Sequence, residues 1–239
     1  MNSVIRVLRA RCLATAALAL AAMVCPASAQ VSAVQVRDEP LHNLKMETDR
    51  YRVYKLLVSP RDAMQFHVHK ADNVAVFLSD AEITNEFENG QKTDFLVKTG
   101  LASFASASPE KPYVHRILLR GGAPFRNITI EFLKPLSSAP PRDSTEPLDP
   151  ALVFLRESPR GKAYRLALEP AQSVNLPSNV SDIFVICLTD GSVTQAHRSR
   201  PNDGMECVSG AFSLLDRSDT VALRNSGTGR VELTILAVY

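Results

Sequence analysis

Tyr54-Lys-Leu-Leu-Val-Ser-Pro60, followed by Val74-Ala-Val-Phe-Leu-Ser-Asp80, returns 110 residues later as Tyr164-Arg-Leu-Ala-Leu-Glu-Pro170 and Ile183-Phe-Val-Ile-Cys-Leu-Thr-Asp190. The spacing between the two blocks is the same in both copies, so two similar folding units stand in tandem. The copies differ between their blocks. The first carries Phe66-His67-Val68-His69, the second Leu176-Pro177-Ser178-Asn179, while Asp72 stays acidic as Asp182. One copy carries residues able to do chemistry and the other has lost them.

The repeat blocks read as strands. Tyr51 to Val58, Asn73 to Leu78, Asn127 to Leu133, Ile183 to Leu188 and Val231 to Val238 are short and rich in β-branched and aromatic residues. They are bounded by Pro, Gly, Asp or Asn. In Arg126-Asn-Ile-Thr-Ile-Glu-Phe132 the apolar Ile128, Ile130 and Phe132 share one face. Residues 31–50 read as an arm or edge strand, and Ala211 to Leu215 fits either strand or helix. Ser137-Ser-Ala-Pro-Pro-Arg-Asp-Ser-Thr-Glu-Pro-Leu-Asp-Pro150 holds four prolines and reads as a linker. Strands without long helical periodicity predict an all-β chain of two sandwiches or barrels. The units are 30–136 and 151–239, joined by 137–150.

Residues 1–29 have the pattern of a cleaved signal peptide: Arg6, Arg9 and Arg11, the apolar run Leu13 to Val24, then Ala27-Ser28-Ala29 before Gln30. This predicts a periplasmic or secreted protein cut after Ala29. Cys25 follows the bulky Val24, which disfavours a lipid anchor. No later segment is apolar enough to span a bilayer, which takes about 20 residues. Without the leader the chain has 24 basic and 25 acidic residues. That balance does not attract a polyphosphate backbone, so nucleic acid is not an expected partner. Cys187 and Cys207 are the two cysteines beyond the leader. They form either a disulfide, permitted in an oxidising compartment, or two small buried apolar residues.

His67 and His69 alternate on one strand, so both imidazoles project from the same face, about 6–7 Å apart. Two such rings can converge on one ion, with His115 the candidate third ligand, 46 residues after His69. The alternative is a structural or vestigial pair. His42, in the arm, and His197, in the polar segment Gln195 to Asp203, read as solvated. No phosphate loop, nucleophile elbow or Cys-x-x-Cys pair is present.

Taken together, the repeat and the His-x-His pair resemble the cupin superfamily, and the whole chain beyond its leader resembles a bicupin. That family is a small antiparallel jelly-roll barrel. Its first motif is His-x-His followed by Glu and then Gly; its second supplies a further His and then Asn. His67-Val68-His69 matches the first, and His115 the histidine of the second. Where the family has Glu this chain has Lys70-Ala71-Asp72-Asn73, and where it has Gly, Ala81. Leu119 stands in place of the second motif's Asn. The second copy retains Gly191 and Asn225-Ser226-Gly227 but lacks the histidines.

The resemblance implies a divalent metal (Fe, Zn, Mn or Ni, not distinguished) held by His67, His69 and His115 in the first barrel. Gln65, Asp72 and Arg116 would be pocket or supporting groups. A three-histidine site resembles thiol dioxygenases, and less closely quercetinase-like dioxygenases and metal-dependent isomerases. A small-molecule dioxygenase is therefore expected, or alternatively a non-catalytic small-ligand-binding or structural barrel. Cupins also pair through barrel edges, which makes a homodimer the implied assembly.

Overall fold

The computed structural model describes residues 32–135, 149–178, 180–199, 201–215 and 219–239. The expected leader and residues 137–148 of the expected linker lie outside them. Strands are numbered here in chain order. In the first barrel one sheet runs β1 (Val34–Gln35), β4 (His67–His69), β9 (Tyr113–Leu119), β6 (Ala81–Phe87), β7 (Lys92–Val97). The facing sheet runs β2 (His42–Glu47), β3 (Tyr51–Val58), β10 (Phe125–Phe132), β5 (Asn73–Phe77), β8 (Ala102–Ala105). In the second barrel the sheets are β11 (Leu152–Ser158), β12 (Gly161–Leu168), β19 (Val231–Val238), β14 (Asp182–Cys187), β17 (Phe212–Leu215), and β13 (Ser173–Asn175), β18 (Thr220–Asn225), β15 (Gly191–His197), β16 (Asp203–Cys207). The chain is two tandem jelly-roll barrels. The only helix among the described residues is the 3-10 turn Val36–Asp38.

The repeat extends to hydrogen-bond register. Tyr54 faces Thr129 across β3 and β10 as Tyr164 faces Ile235 across β12 and β19. Likewise Asn127, Thr129 and Glu131 face Phe77, Ala75 and Asn73, as Leu233, Ile235 and Ala237 face Cys187, Val185 and Ile183. Equivalent positions of the two interiors can therefore be compared directly. The second interior is largely hydrocarbon, built from residues such as Leu166, Ile183, Val185, Leu223, Leu233 and Ile235, although Gln195 and Asn225 are also buried there. The first has Asn73, Asn127, Thr129 and Glu131 buried where the second has Ile183, Leu233, Ile235 and Ala237. Burying polar groups is tolerated only with partners. Asn73 accordingly donates to Tyr113 Oη (2.8 Å), and Thr129 to Asn127 Oδ1 (3.1 Å).

Ile128, Ile130 and Phe132 do share a face, but it is the outer one. With Tyr51, Val53, Val74 and Val76 they pack on Ala163, Phe184, Ile186, Leu236 and Val238 of the second barrel, forming one apolar layer between barrels. Polar links border that layer in a two-fold pattern. Arg50 binds Asp182 (2.5 Å), and the repeat-equivalent Arg160 binds Asp72 (2.7 Å). This explains why the acid at Asp72 and Asp182 persists in both copies. Gly100 (φ +83°) and Gly210 (φ +88°) sit at equivalent turns. A Cβ on Gly100 would meet Arg165 and Leu188, and one on Gly210 would meet Leu78, so left-handed backbone and close approach coincide. Cys187 and Cys207 are joined by a disulfide, Cα–Cα 5.5 Å. Ala211 to Leu215 is extended, with Phe212–Leu215 forming β17.

Candidate metal centre

Alternation on β4 turns His67 and His69 inward, both buried. The antiparallel β4–β9 pairing puts His115 directly opposite His67, and cross-strand partners share a face. A fourth imidazole comes from the facing sheet. His42 opens β2, and although its position in the arm suggests a solvated side chain, it is buried at 7 % exposure. The ring centroids of His42 and His67 are 4.6 Å apart, those of His67 and His115 4.5 Å, and those of His69 and His115 5.2 Å. His42, His67 and His69 each offer a ring nitrogen within 4.8 Å of the other two.

Three of the four imidazoles have an oxygen acceptor at Nδ1. His42 Nδ1 lies 3.0 Å from Glu39 Oε2, His67 Nδ1 3.1 Å from the Gln65 carbonyl, and His115 Nδ1 2.6 Å from Asn85 Oδ1. His69 differs: its Nδ1 lies 3.4 Å from Glu131 Oε1 and is buried without a hydrogen-bond partner. Carbonyl and carboxylate oxygens only accept, so in the other three rings the proton belongs on Nδ1 and the lone pair on Nε2. His67 Nε2 and His115 Nε2 are buried without a hydrogen-bond partner.

Electrostatics keep His67, His69 and His115 neutral. Burial pushes the His67 imidazole far below its ordinary value, and the neighbouring histidines add to this. Burial lowers His69 against the opposing pull of Glu131. His115 is pushed down to about 3, by burial first and His69 and His42 next. For Glu39 burial acts upward, but the bonds from His42 and from the Gln65 and Leu41 N–H groups outweigh it and hold the carboxyl below the usual range. Neutral imidazoles with free Nε2 lone pairs are the ligand form that divalent metals take.

The other groups singled out by sequence fall elsewhere. Asp72 is bound to Arg160 and to the Ala107 N–H at the border between barrels. Arg116 alternates outward from His115, pairing with Glu86 (2.7 Å) over the Phe66 ring. Gln65 is exposed and contributes its backbone only. His197 does not reach the cluster. It is buried in the second barrel with Nδ1 3.4 Å from Asp219 and Nε2 3.4 Å from Asp203, not solvated.

Beside the imidazoles lies a cavity of about 440 Å³, walled by apolar residues including Phe77, Ile83, Phe95, Val97 and Phe125, with His42, His69 and His115 on its surface. That is the size range of small-molecule sites.

No family model matches the sequence, and no curated protein does. Solved structures share the architecture. AerE from Microcystis aeruginosa superposes with a TM-score of 0.59 at 11% identity, over 84% of this chain and 98% of that one. HEPD from Streptomyces albus, solved with 2-hydroxyethylphosphonate and Fe(II) bound, gives 0.57 at 10% identity over 82% and 70%. Salicylate 1,2-dioxygenase from Pseudoaminobacter salicylatoxidans, solved as an adduct with gentisate, gives 0.53 at 10% identity over 80% and 69%. HEPD and the salicylate dioxygenase are cupin-domain proteins. The chain has the bicupin fold. At these identities the likeness is one of fold. In this bicupin fold the ring-nitrogen cluster of His42, His67 and His69, on β2 and β4 of the first barrel, could hold a metal ion.

Proposed function

We propose that the bicupin is an exported protein that holds one divalent metal ion in its first barrel and acts on a small molecule there, as a dioxygenase. The observation that carries this is the arrangement of protons on the imidazoles. At His67 and His115 Nδ1 faces an oxygen acceptor, and the Nε2 atoms of both are buried without partners. A purely structural histidine cluster would satisfy those atoms. His42, His67 and His69, whose ring nitrogens lie within 4.8 Å of one another, would hold the ion, with His115 beside them. Bound, the ion supplies Lewis acidity or a redox centre next to the cavity.

The chain's own residues do the remaining work. Glu39, Asn85 and the Gln65 carbonyl orient the rings and fix their tautomers. The apolar wall from Phe77 to Phe125 excludes water around a substrate. Asn127 and Thr129 are among the uncharged polar groups lining the cavity. Export is supported by the leader-like pattern through Ala29 and by the Cys187–Cys207 disulfide, which suits an oxidising compartment.

A second reading rests on His115 as a fourth ligand. Four imidazoles can close a tetrahedral site, the form of a structural ion, leaving a non-catalytic ligand-binding barrel. Oxygen uptake by the iron-loaded protein with thiols, flavonols and diketones decides between them. Consumption with one class supports the dioxygenase. No consumption, with a compound of the panel still raising Tm, favours the binding protein.

A further inference from the structure

We propose that the second barrel completes the first barrel's substrate site, with Arg156 binding the anionic group of a small organic acid whose apolar body occupies the 440 Å³ cavity. This deepens the reading above and rests on that cavity being the working site. Three observations carry it.

The first is charge. Apart from histidines, Arg156 is the only charged residue among the described residues lining the cavity, and none of those residues carries a carboxylate. The second is freedom. Arg156 is exposed and takes part in no ion pair among the described residues, whereas Arg50, Arg52, Arg116, Arg160 and Arg165 all do. An unpaired guanidinium at an apolar cavity is a fork suited to a carboxylate.

The third is position. β2 and β11 carry the same one-residue bulge, between Leu44 and Met46 in the first barrel and between Phe154 and Arg156 in the second. Bulges re-aim the side chain that follows them. In the first copy that side chain is Met46, which packs on the apolar layer between barrels. In the second copy it is Arg156, which lines the first barrel's cavity instead. The second barrel has a filled interior and no histidine cluster among its described residues, so lending this cation gives it a part in binding.

The test uses the full chain and acid–amide pairs as probes: acetate with acetamide, hexanoate with hexanamide, benzoate with benzamide, followed by calorimetric titration. The wild type is expected to bind at least one acid about 10- to 100-fold more tightly than its amide, the range of a charge-assisted pair. Arg156→Met is expected to abolish that preference while leaving amide affinity and metal content unchanged, and Arg156→Lys to retain part of it. The proposal is overturned if no acid binds better than its amide, or if Arg156→Met keeps the preference. Metal content measured alongside separates the two readings. An Arg156-dependent preference without metal upholds the anion site and removes the metal centre. Metal without such a preference does the reverse.

Discussion

Glu39 holds three points of the chain at once: its carboxylate accepts from the Leu41 and Gln65 N–H groups and from His42 Nδ1. In the second copy Asp149 accepts from Ala151 and Asn175 in the same way, but Leu152 stands where His42 does. The tie is therefore structural in both barrels, and the imidazole is the addition. Glu39→Gln is expected to keep the fold and weaken metal affinity about 10- to 100-fold, read by chelator competition. His42 went unread in the sequence because an arm residue has no periodicity to place it. Extending the 110-residue offset to Leu152 would have marked it, as Pro177 marked His67. Acid tests the same residues. His67, His69 and His115 are lowered in the fold relative to about 6.5 in the unfolded chain, so the unfolded chain binds more protons below that pH. The stability they confer is present above about pH 6.5 and falls as pH drops from there toward about 3, by roughly 1.4 kcal/mol per pH unit per histidine. Calorimetry of chelator-treated protein at pH 7.5 and 5.5 should show a lower Tm at 5.5. The drop should be smaller in His67→Gln/His115→Gln.

At the scale of elements, β10 and β19 have the same register and opposite chemistry. Asn127, Thr129 and Glu131 leave one interior polar, and Leu233, Ile235 and Ala237 fill the other. Ile235→Thr places a hydroxyl in hydrocarbon and is expected to cost about 1–3 kcal/mol in urea unfolding with metal content unchanged. An equal loss of metal would contradict the division of labour between barrels. The strands themselves were legible because β14 and β19 are largely apolar on both faces and β10 alternates an apolar face with a polar one. The direction of those faces was not legible, because Ile128 and Ile130 pack between barrels and not inside one. Periodicity shows that a face is buried without showing what covers it.

Across the whole molecule, the apolar layer around Phe184 and Ile186 makes the two barrels one compact unit. Phe184→Ala is expected to cost about 3–5 kcal/mol and to lower the stability of both barrels together, as one calorimetric transition. Two separate transitions would mean that the barrels fold independently. Reducing the Cys187–Cys207 disulfide, which closes a 20-residue separation, is expected to cost about 3 kcal/mol. Asp72 illustrates what a single sequence conceals at this scale. Three residues after His69 it reads as a pocket or supporting group, yet its partner is Arg160 of the other barrel, and only the repeat-equivalent Arg50–Asp182 pair reveals its role.

The most direct test of the account is metal content by inductively coupled plasma mass spectrometry on protein purified without chelating resin, beside His67→Ala/His69→Ala. The account predicts near-stoichiometric metal in the wild type and its loss in the variant. Wild-type protein that takes up no iron, zinc, manganese or nickel on incubation would contradict it.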